Sequence, residues 1–297
     1  MNLLRCLVAI VLPVTLALAG CSTGRPAGMP GATVAAVVAN PGPSTRVGGK
    51  TEVLWLGQAA TRITTPGGKV IMIDPWLTSN PKTPAAWKDL HALGKVDLIL
   101  VTHAHGDHVA DAPALAKLNN AVVWGPAGLN QTLTTYGILP ANLSQRFGKG
   151  GTIMPWGPSG PKITAVHAEH SSEYAYKDPA TGKEEVLPGG EPVGFILEME
   201  NGFRIWHMGD TAVFGDMRLI TDMYHPDLLL IPIGGHFVMN PVDAAMVTRD
   251  IVRPRYSIPI HYLTIPQLRG TPAEYKAAMG NSAVQVLAID PGQKIDF

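Results

Sequence analysis

VTHAHGDH, residues 101–108, places three of the chain's ten histidines and one aspartate within six positions. The apolar run VDLIL precedes this stretch and DAPALAKL follows it, so the pattern predicts a buried strand that ends here and a helix that begins near Asp107. Ligands usually bind where such strands end in layered α/β proteins. The stretch therefore predicts a strand followed by a helix, and a ligand-binding site at the end of that strand.

The residue types in this stretch predict a metal site. His103 and His105 are two positions apart in an extended segment, so their side chains can point to the same side. Gly106 permits a tight turn, and Asp107 and His108 follow in the first turn of the helix. Imidazoles and a carboxylate that converge in this way suit zinc, and also manganese or iron. A single histidine at a strand end usually makes only a hydrogen bond, but three with an aspartate predict ligands.

The first 20 residues differ from the rest of the chain. One positive charge at Arg5 precedes the apolar run LVAIVLPVTLALA, which is typical of a secretory signal. The segment ends in LAGC, residues 18–21, and resembles the lipobox of bacterial lipoproteins, which implies cleavage before Cys21 and a lipid on its thiol. An uncleaved membrane anchor is the alternative, but the run is short for a span of about 20 apolar residues and contains Pro13.

The chain divides into a leader, a tether and a folded body. Residues 22–49 are rich in Gly, Pro and Ala and nearly uncharged, which predicts a flexible tether. We therefore predict a signal peptide over 1–20, the lipidated Cys21 and tether over 21–49, and one folded domain over 50–297. The lipid would anchor the domain to a membrane of the cell envelope, facing the periplasm or the exterior. Cys6 and Cys21 are the only cysteines, so the body has no cysteine ligand.

Composition and patterning predict one α/β domain and exclude one class of partner. The 23 Lys and Arg residues balance 23 Asp and Glu, and no basic block occurs, so the charge footprint of a nucleic-acid-binding protein is missing. Short apolar stretches alternate with turns and helices in two similar halves, which predicts two packed sheets with helices outside. We expect helices near 84–93 and 242–251, and a hairpin at Asn201-Gly202.

The signature T-H-x-H-x-D-H, matched at every defined position by residues 102–108, resembles that of the metallo-β-lactamase superfamily. The resemblance extends over about residues 51–295. It implies an α/β fold, the αββα four-layer sandwich with two mixed β-sheets and outer helices, and two divalent metal ions. The stretches HSS, GDTAVFGDM, PDLLLIPIG and PIHY are similar to those of ascorbate-6-phosphate lactonase-like hydrolases, a largely uncharacterised subgroup.

Three later strand ends supply the remaining ligands that the resemblance implies. His167 is an alternative to His170, but on a strand it points to the opposite face. The seven implied ligands are His103, His105 and His170 for the first ion, Asp107, His108 and His261 for the second, and Asp210 for both.

Other residues receive supporting or catalytic roles. The resemblance implies that Asp74, at the end of KVIMID, supports a ligand histidine by hydrogen bonding, and His207 is predicted to orient a ligand. His236, in the loop GGHFVMN, is predicted to contact substrate or a developing oxyanion, the alternative being that it only closes the loop. The superfamily pattern also implies proton transfer by Asp107 and Asp210.

These features predict a metal-dependent hydrolase that cleaves an ester-like bond, a lactone or a phosphodiester, in a small-molecule substrate at the cell envelope. Water activated by two ions, zinc or else manganese or iron, would be the nucleophile. The alternative is a non-enzymatic lipoprotein that binds a metal or a ligand. A β-lactamase fits the superfamily but not the flanking stretches. Residues 173–192 are predicted to form either a lid over the site or a surface excursion.

Overall fold

The computed structural model describes residues 48–297, and the fold is given for these residues. The predicted signal peptide and Cys21 lie outside them, as does the predicted tether up to residue 47. Across residues 48–297, no helix combines the length and the apolar character that a membrane crossing requires.

Sixteen strands and six α-helices make up the described part of the chain. The strands are β1 (Glu52–Trp55), β2 (Thr61–Thr64), β3 (Val70–Ile73), β4 (Leu98–Leu100), β5 (Val122–Pro126), β6 (Ser144–Phe147), β7 (Thr152–Ile153), β8 (Lys162–His167), β9 (Glu173–Lys177), β10 (Glu184–Pro188), β11 (Val193–Glu198), β12 (Arg204–His207), β13 (Leu228–Pro232), β14 (Tyr256–Ile260), β15 (Gln285–Val286) and β16 (Lys294–Asp296). The α-helices are α1 (Gly106–Val109), α2 (Ala112–Asn119), α3 (Ala127–Thr135), α4 (Met217–Tyr224), α5 (Pro241–Met246) and α6 (Pro272–Met279).

Two seven-stranded sheets share one plan. The first has the order β16-β1-β2-β3-β4-β5-β6, with antiparallel pairs up to β3 and parallel pairs beyond it. The second has the order β15-β14-β13-β12-β11-β8-β7, with parallel pairs from β15 to β12 and antiparallel pairs from there to β7. Strands β9 and β10 form a separate hairpin.

The strands alternate between two apolar layers. On β3, Ile71 and Ile73 belong to the core between the sheets, whereas Val70 and Met72 pack with helix residues such as Leu115. A third apolar cluster joins the outer face of the second sheet to α4, α5 and α6. The layers therefore follow the order α, β, β, α, which confirms the fold that the resemblance implied.

Two of the predicted helices differ from the structure. Residues 84–93 form two short 3₁₀ helices, Ala85–Trp87 and Leu90–Leu93, because the backbone of Asp89 is extended and its carboxylate caps the second helix at His91 N–H. The helix near 242–251 continues from α5 as a π-helix, Val247–Val252. The predicted hairpin is confirmed: β11 and β12 pair antiparallel across Asn201-Gly202.

Strand direction decides where the functional side chains meet. In the first sheet β3 and β4 are parallel. In the second sheet β8 and β12 are both antiparallel to β11, and β12, β13 and β14 are mutually parallel. The segments that follow β8, β12 and β14 therefore leave the second sheet at one edge, and those that follow β3 and β4 leave the first sheet together.

Candidate metal centre

All seven predicted ligands come together in the structure. Each of them follows the carboxyl end of a strand: β4, β8, β12 or β14. Their nitrogen and oxygen atoms fall into two groups, each with its atoms within 4.8 Å of one another. The first group is His103, His105 and His170, and the second is Asp107, His108, Asp210 and His261.

The first group consists of imidazoles only. His103 is fully buried, and its Nε2 lies 2.9 Å from Nδ1 of His105. The ring of His170 meets the rings of His103 and His105 edge-on, at 5.1 and 5.2 Å between centroids. His167 takes no part, since its ring nitrogens contact Lys149 and Glu169.

The second group contains two imidazoles and two carboxylates. Oδ2 of Asp107 lies 3.7 Å from His108 Nε2 and 3.4 Å from His261 Nε2. His108 and His261 are buried, whereas the Asp107 side chain is 29% exposed. Asp107 therefore gives this group its access to solvent.

Asp210 lies between the two groups. Its Oδ2 is 3.0 Å from His261 Nε2, 3.6 Å from His170 Nε2 and 3.9 Å from His103 Nε2. Its Oδ1 is 3.2 Å from His108 Nε2. One carboxylate thus faces the nitrogens of both groups.

The residues fit divalent ions. Ligand atoms that bind one ion at about 2.0–2.2 Å must lie roughly 3–3.5 Å apart, and the Asp210 distances to His108 and His261 are of that size. Within residues 48–297, the buried His108 Nε2 and Asp210 Oδ1 have no hydrogen-bond partner, although both are aimed into the cluster. Buried polar atoms are normally paired. A cation between His108 Nε2 and Asp210 Oδ1 would give both atoms a partner.

Asp74 forms hydrogen bonds with two residues of the 102–108 motif. It is fully buried with a left-handed backbone, φ 49°. Its carboxylate accepts hydrogen bonds from Thr102 N–H and Oγ1, both at 2.7 Å, and from His108 Nδ1 at 2.9 Å. The proton on Nδ1 leaves Nε2 of His108 free for the ligand role.

His207 supports the loop that carries Asp210. Its Nδ1 accepts the N–H of Gly209, and its Nε2 donates to the carbonyl of Ala59. Gly209 has φ 62°, and a Cβ there would lie 2.9 Å from Thr102. His207 therefore positions the backbone next to Asp210 without contacting that carboxylate by a hydrogen bond.

Two further residues at the centre were not predicted. Gln58, in the turn between β1 and β2, places its Nε2 2.7 Å from both Asp107 Oδ2 and His261 Nε2. Glu173, the first residue of β9, places Oε2 3.1 Å from His105 Nε2, which leaves His105 Nδ1 to face His103. The only sequence signals are a lone amide in the apolar turn GQAA and a carboxylate three positions after His170.

Replacing Glu173 with alanine is expected to weaken binding of an ion by the first group about tenfold, because Glu173 orients His105. This value is the low end of the range for residues that orient a ligand histidine, since the Glu173 side chain is half exposed. Isothermal titration of the metal-free protein with zinc would measure the change. Glu184→Ala is the matched control, since Glu184 pairs with Lys177 at the surface. Equal losses in both variants would contradict the orienting role.

The two groups differ in protonation. Burial, aided by the charge of His108, holds the pKa of His103 well below its usual value. Burial also lowers the pKa of His108 and His261, but Asp210 and the neighbouring carboxylates outweigh it, so the pKa of His108 is raised well above its usual value and that of His261 to about 9. Despite burial, the same ion pairs lower the pKa of Asp210. In the ion-free protein His103 and His170 are therefore ready to bind a cation, while His108 and His261 hold protons.

Affinity for the second ion should therefore rise with pH. A cation must displace a proton from His261, whose pKa is about 9, and one from His108, whose pKa is also raised. Its affinity should therefore increase by between about tenfold and a hundredfold per pH unit between pH 6.5 and 8.5. The first ion should show no such slope, since the pKa values of His103 and His170 are lowered. Calorimetry in buffers of different ionisation enthalpy would count the released protons, and no release at pH 7 would contradict the assignment.

A cleft opens over both groups. It has a volume of about 540 Å³ and brings ligand residues such as His105 and Asp107 to its floor. Trp76, Phe237 and Ile265 form an apolar wall. Among the described residues that line the cleft there is no lysine or arginine.

Neither His236 nor any residue of the β9–β10 hairpin lines this cleft, although Glu173 at the start of β9 contacts His105. The His236 side chain is exposed and packs edge-on against Phe237, and it is not among the lining residues within 48–297. Its catalytic role stays a prediction. The hairpin packs against α3, where Thr132 Oγ1 donates to the carbonyl of Pro188. In this structure it is a surface excursion and not a cover over the cleft.

Comparison with known proteins places the chain in a family. The model of the beta-lactamase superfamily domain matches residues 69–262. The UPF0173 metal-dependent hydrolase of Cupriavidus necator is 67% identical over 250 residues, which cover 84% of this chain and 86% of that protein. The UPF0173 metal-dependent hydrolase of Roseiflexus sp. is 40% identical over 251 residues, 84% of this chain and 98% of that protein.

Solved structures agree. A metallo hydrolase from the archaeon Ignicoccus hospitalis has a TM-score of 0.69 at 30% identity, covering 84% of this chain and 98% of that chain. The isothiocyanate hydrolase from Delia radicum gut bacteria, at 15% identity and TM-score 0.60 over 83% of this chain and 98% of that chain, shares the fold alone. The chain belongs to the metallo-β-lactamase superfamily and is one of its metal-dependent hydrolases.

Proposed function

We propose that the protein is a binuclear metal-dependent hydrolase that cleaves an ester-like bond, a lactone or a phosphodiester, in a small molecule at the cell envelope. The observation that carries the proposal is the position of Asp210, whose two oxygens face His108 and His261 on one side and His103 and His170 on the other. A carboxylate in that position can bind two cations at once. Zinc suits this donor set, and manganese and iron are the alternatives.

The chain's residues then have separate tasks. When bound, two divalent ions supply a nucleophile from water near neutral pH and polarise the oxygen of the bond under attack. Asp107 and Asp210 both line the cleft, so their carboxylates are placed to hold or pass a proton beside the substrate. Trp76, Phe237 and Ile265 exclude water from one side of the cleft and offer an apolar surface to the substrate.

The cleft favours an enzyme over the alternative of a lipoprotein that only stores or presents a metal. A storage site would enclose its ligands, whereas His105, Asp107, His170, Asp210 and His261 all border the cleft. The envelope location is supported by the leader and by the LAGC stretch that ends at Cys21.

The test is metal analysis of the purified protein together with a panel of lactones, phosphodiesters, thioesters and β-lactams. We expect two ions per chain and hydrolysis of a lactone or a phosphodiester, with activity lost in His103→Ala and kept in His91→Ala, a matched exposed histidine. If the fully loaded protein cleaves nothing in the panel, the binding-protein alternative replaces this proposal. Retained activity in His103→Ala would remove the metal mechanism.

The envelope location has its own test. Replacing Cys21 with alanine should abolish the incorporation of labelled fatty acid into the protein, because the lipid would have no attachment point. A wild type that takes up no label, or a variant that takes up as much as the wild type, would contradict the lipid anchor while leaving the hydrolase proposal intact.

A further inference from the structure

Gln58 contacts residues of the metal centre, although it lies in none of the sequence motifs that predicted the ligands. Its side chain is 1% exposed, and the carboxamide lies beside two residues of the second group. Nε2 is 2.7 Å from Asp107 Oδ2 and 2.7 Å from His261 Nε2. These partners are 49 and 203 residues away along the chain.

The backbone holds Gln58 in this place. Its carbonyl accepts hydrogen bonds from Trp55 Nε1 and from the N–H of His261, both at 3.0 Å. Its φ is 51°, a left-handed conformation that residues other than glycine rarely adopt. Such a conformation persists only where surrounding contacts enforce it, and these often lie at functional sites. The turn therefore directs the amide at Asp107 and His261.

The hydrogen bonding of the amide is incomplete. Its NH₂ group faces Asp107 and His261, while Oε1 is buried and has no hydrogen-bond partner within residues 48–297. A buried carbonyl oxygen without a partner is costly. Nε2 of His261 has no lone pair for the amide N–H when it carries a proton, and none when it binds a cation. A half-turn of the carboxamide exchanges its nitrogen and oxygen, so that Oε1 faces the position of the cation.

We propose that Gln58 is a further ligand of the ion held by Asp107, His108, Asp210 and His261, and that it binds through Oε1. The 2.7 Å contacts suit neighbouring ligands of one ion, because two atoms about 2.1 Å from an ion and at right angles lie about 3 Å apart.

The added oxygen makes the two sites chemically different. The second site then has three oxygen and two nitrogen ligands, while the first site has three imidazoles and the shared Asp210. More oxygen ligands and a coordination number above four favour manganese or iron over zinc. The inference rests on the second ion of the proposed function.

The test is binding of Mn²⁺ to the metal-free full chain, followed by electron paramagnetic resonance of the unbound ion. Gln58→Asn keeps an amide and a residue that tolerates positive φ, but it ends one methylene short. We expect it to weaken one of the two bound ions by at least about tenfold and to leave the other unchanged. Gln58→Glu, which keeps the length and adds a charge, should bind that ion more tightly than the wild type. Gln131→Asn, on the exposed face of α3, is the control.

The experiment distinguishes failure of the Gln58 inference from failure of the proposed function. Wild-type or tighter affinity for both ions in Gln58→Asn would show that the amide only occupies the space of the ion, and would overturn the inference. If the asparagine variant does not fold, the glutamate variant decides, and unchanged or weaker binding in it would overturn the inference. A wild-type protein that binds one ion refutes the second site itself. Absence of hydrolysis in the substrate panel, with two ions bound, affects the proposed function alone.

Discussion

Replacing Asp210 with alanine is expected to lower kcat/KM by on the order of 10³-fold or more. Asp210 is the one carboxylate that faces both groups of ligands. In the proposed binuclear centre its loss would remove a ligand of both ions and several kcal/mol of transition-state stabilisation, and about 1.4 kcal/mol corresponds to a factor of ten. Steady-state kinetics with metal analysis of the same sample would measure activity and ion content together.

The matched control for this variant is Asp216→Ala. Asp216 is an exposed aspartate six residues further along, at the N-terminus of α4, and its side chain makes no capping hydrogen bond. It should keep wild-type kinetics and both ions. An Asp210→Ala protein that retained two ions and more than about a tenth of the activity would contradict the bridging role, since such a loss is only about 1.4 kcal/mol.

Replacing Asp74 with alanine is expected to have the largest effect on stability. The variant leaves the N–H and hydroxyl of Thr102 and the Nδ1 of His108 without their buried acceptor. Breaking such a buried network typically costs about 3–5 kcal/mol. Urea unfolding of the metal-free protein would measure the free energy of unfolding, and a titration would show weaker binding of the ion that His108 holds.

Two further variants interpret this result. Asp74→Asn tolerates φ 49° and keeps an acceptor for Thr102, so it should lose less stability than the alanine variant. Asp222→Ala, on the exposed side of α4, should stay within about 0.5 kcal/mol of the wild type. If Asp74→Ala matched Asp222→Ala, the carboxylate would have no role in holding the motif.

Local chemistry explains why so much of the fold could be predicted. The strand before His103, the hairpin at Asn201-Gly202 and the two packed sheets with outer helices follow from apolar runs and turn residues that are neighbours in sequence. The resemblance added the four-layer order and the mixed strand directions. The predicted helix that the structure does not contain also has a local cause. The segment 84–93 has a helical composition, but the Asp89 side chain bonds to the backbone and restarts it as a second short helix.

The sequence by itself determined the candidate ligands: the residue types of 101–108 predicted a metal site, and the resemblance implied the later ligands His170, Asp210 and His261. These residues follow strand ends, and the parallel strands bring those ends to shared edges. Only the tertiary structure decided what surrounds them. Gln58 reaches His261 across 203 residues and Glu173 reaches His105 across 68. Such contacts leave no periodicity or spacing in the sequence, since they depend on how two sheets pack and not on the residues between them.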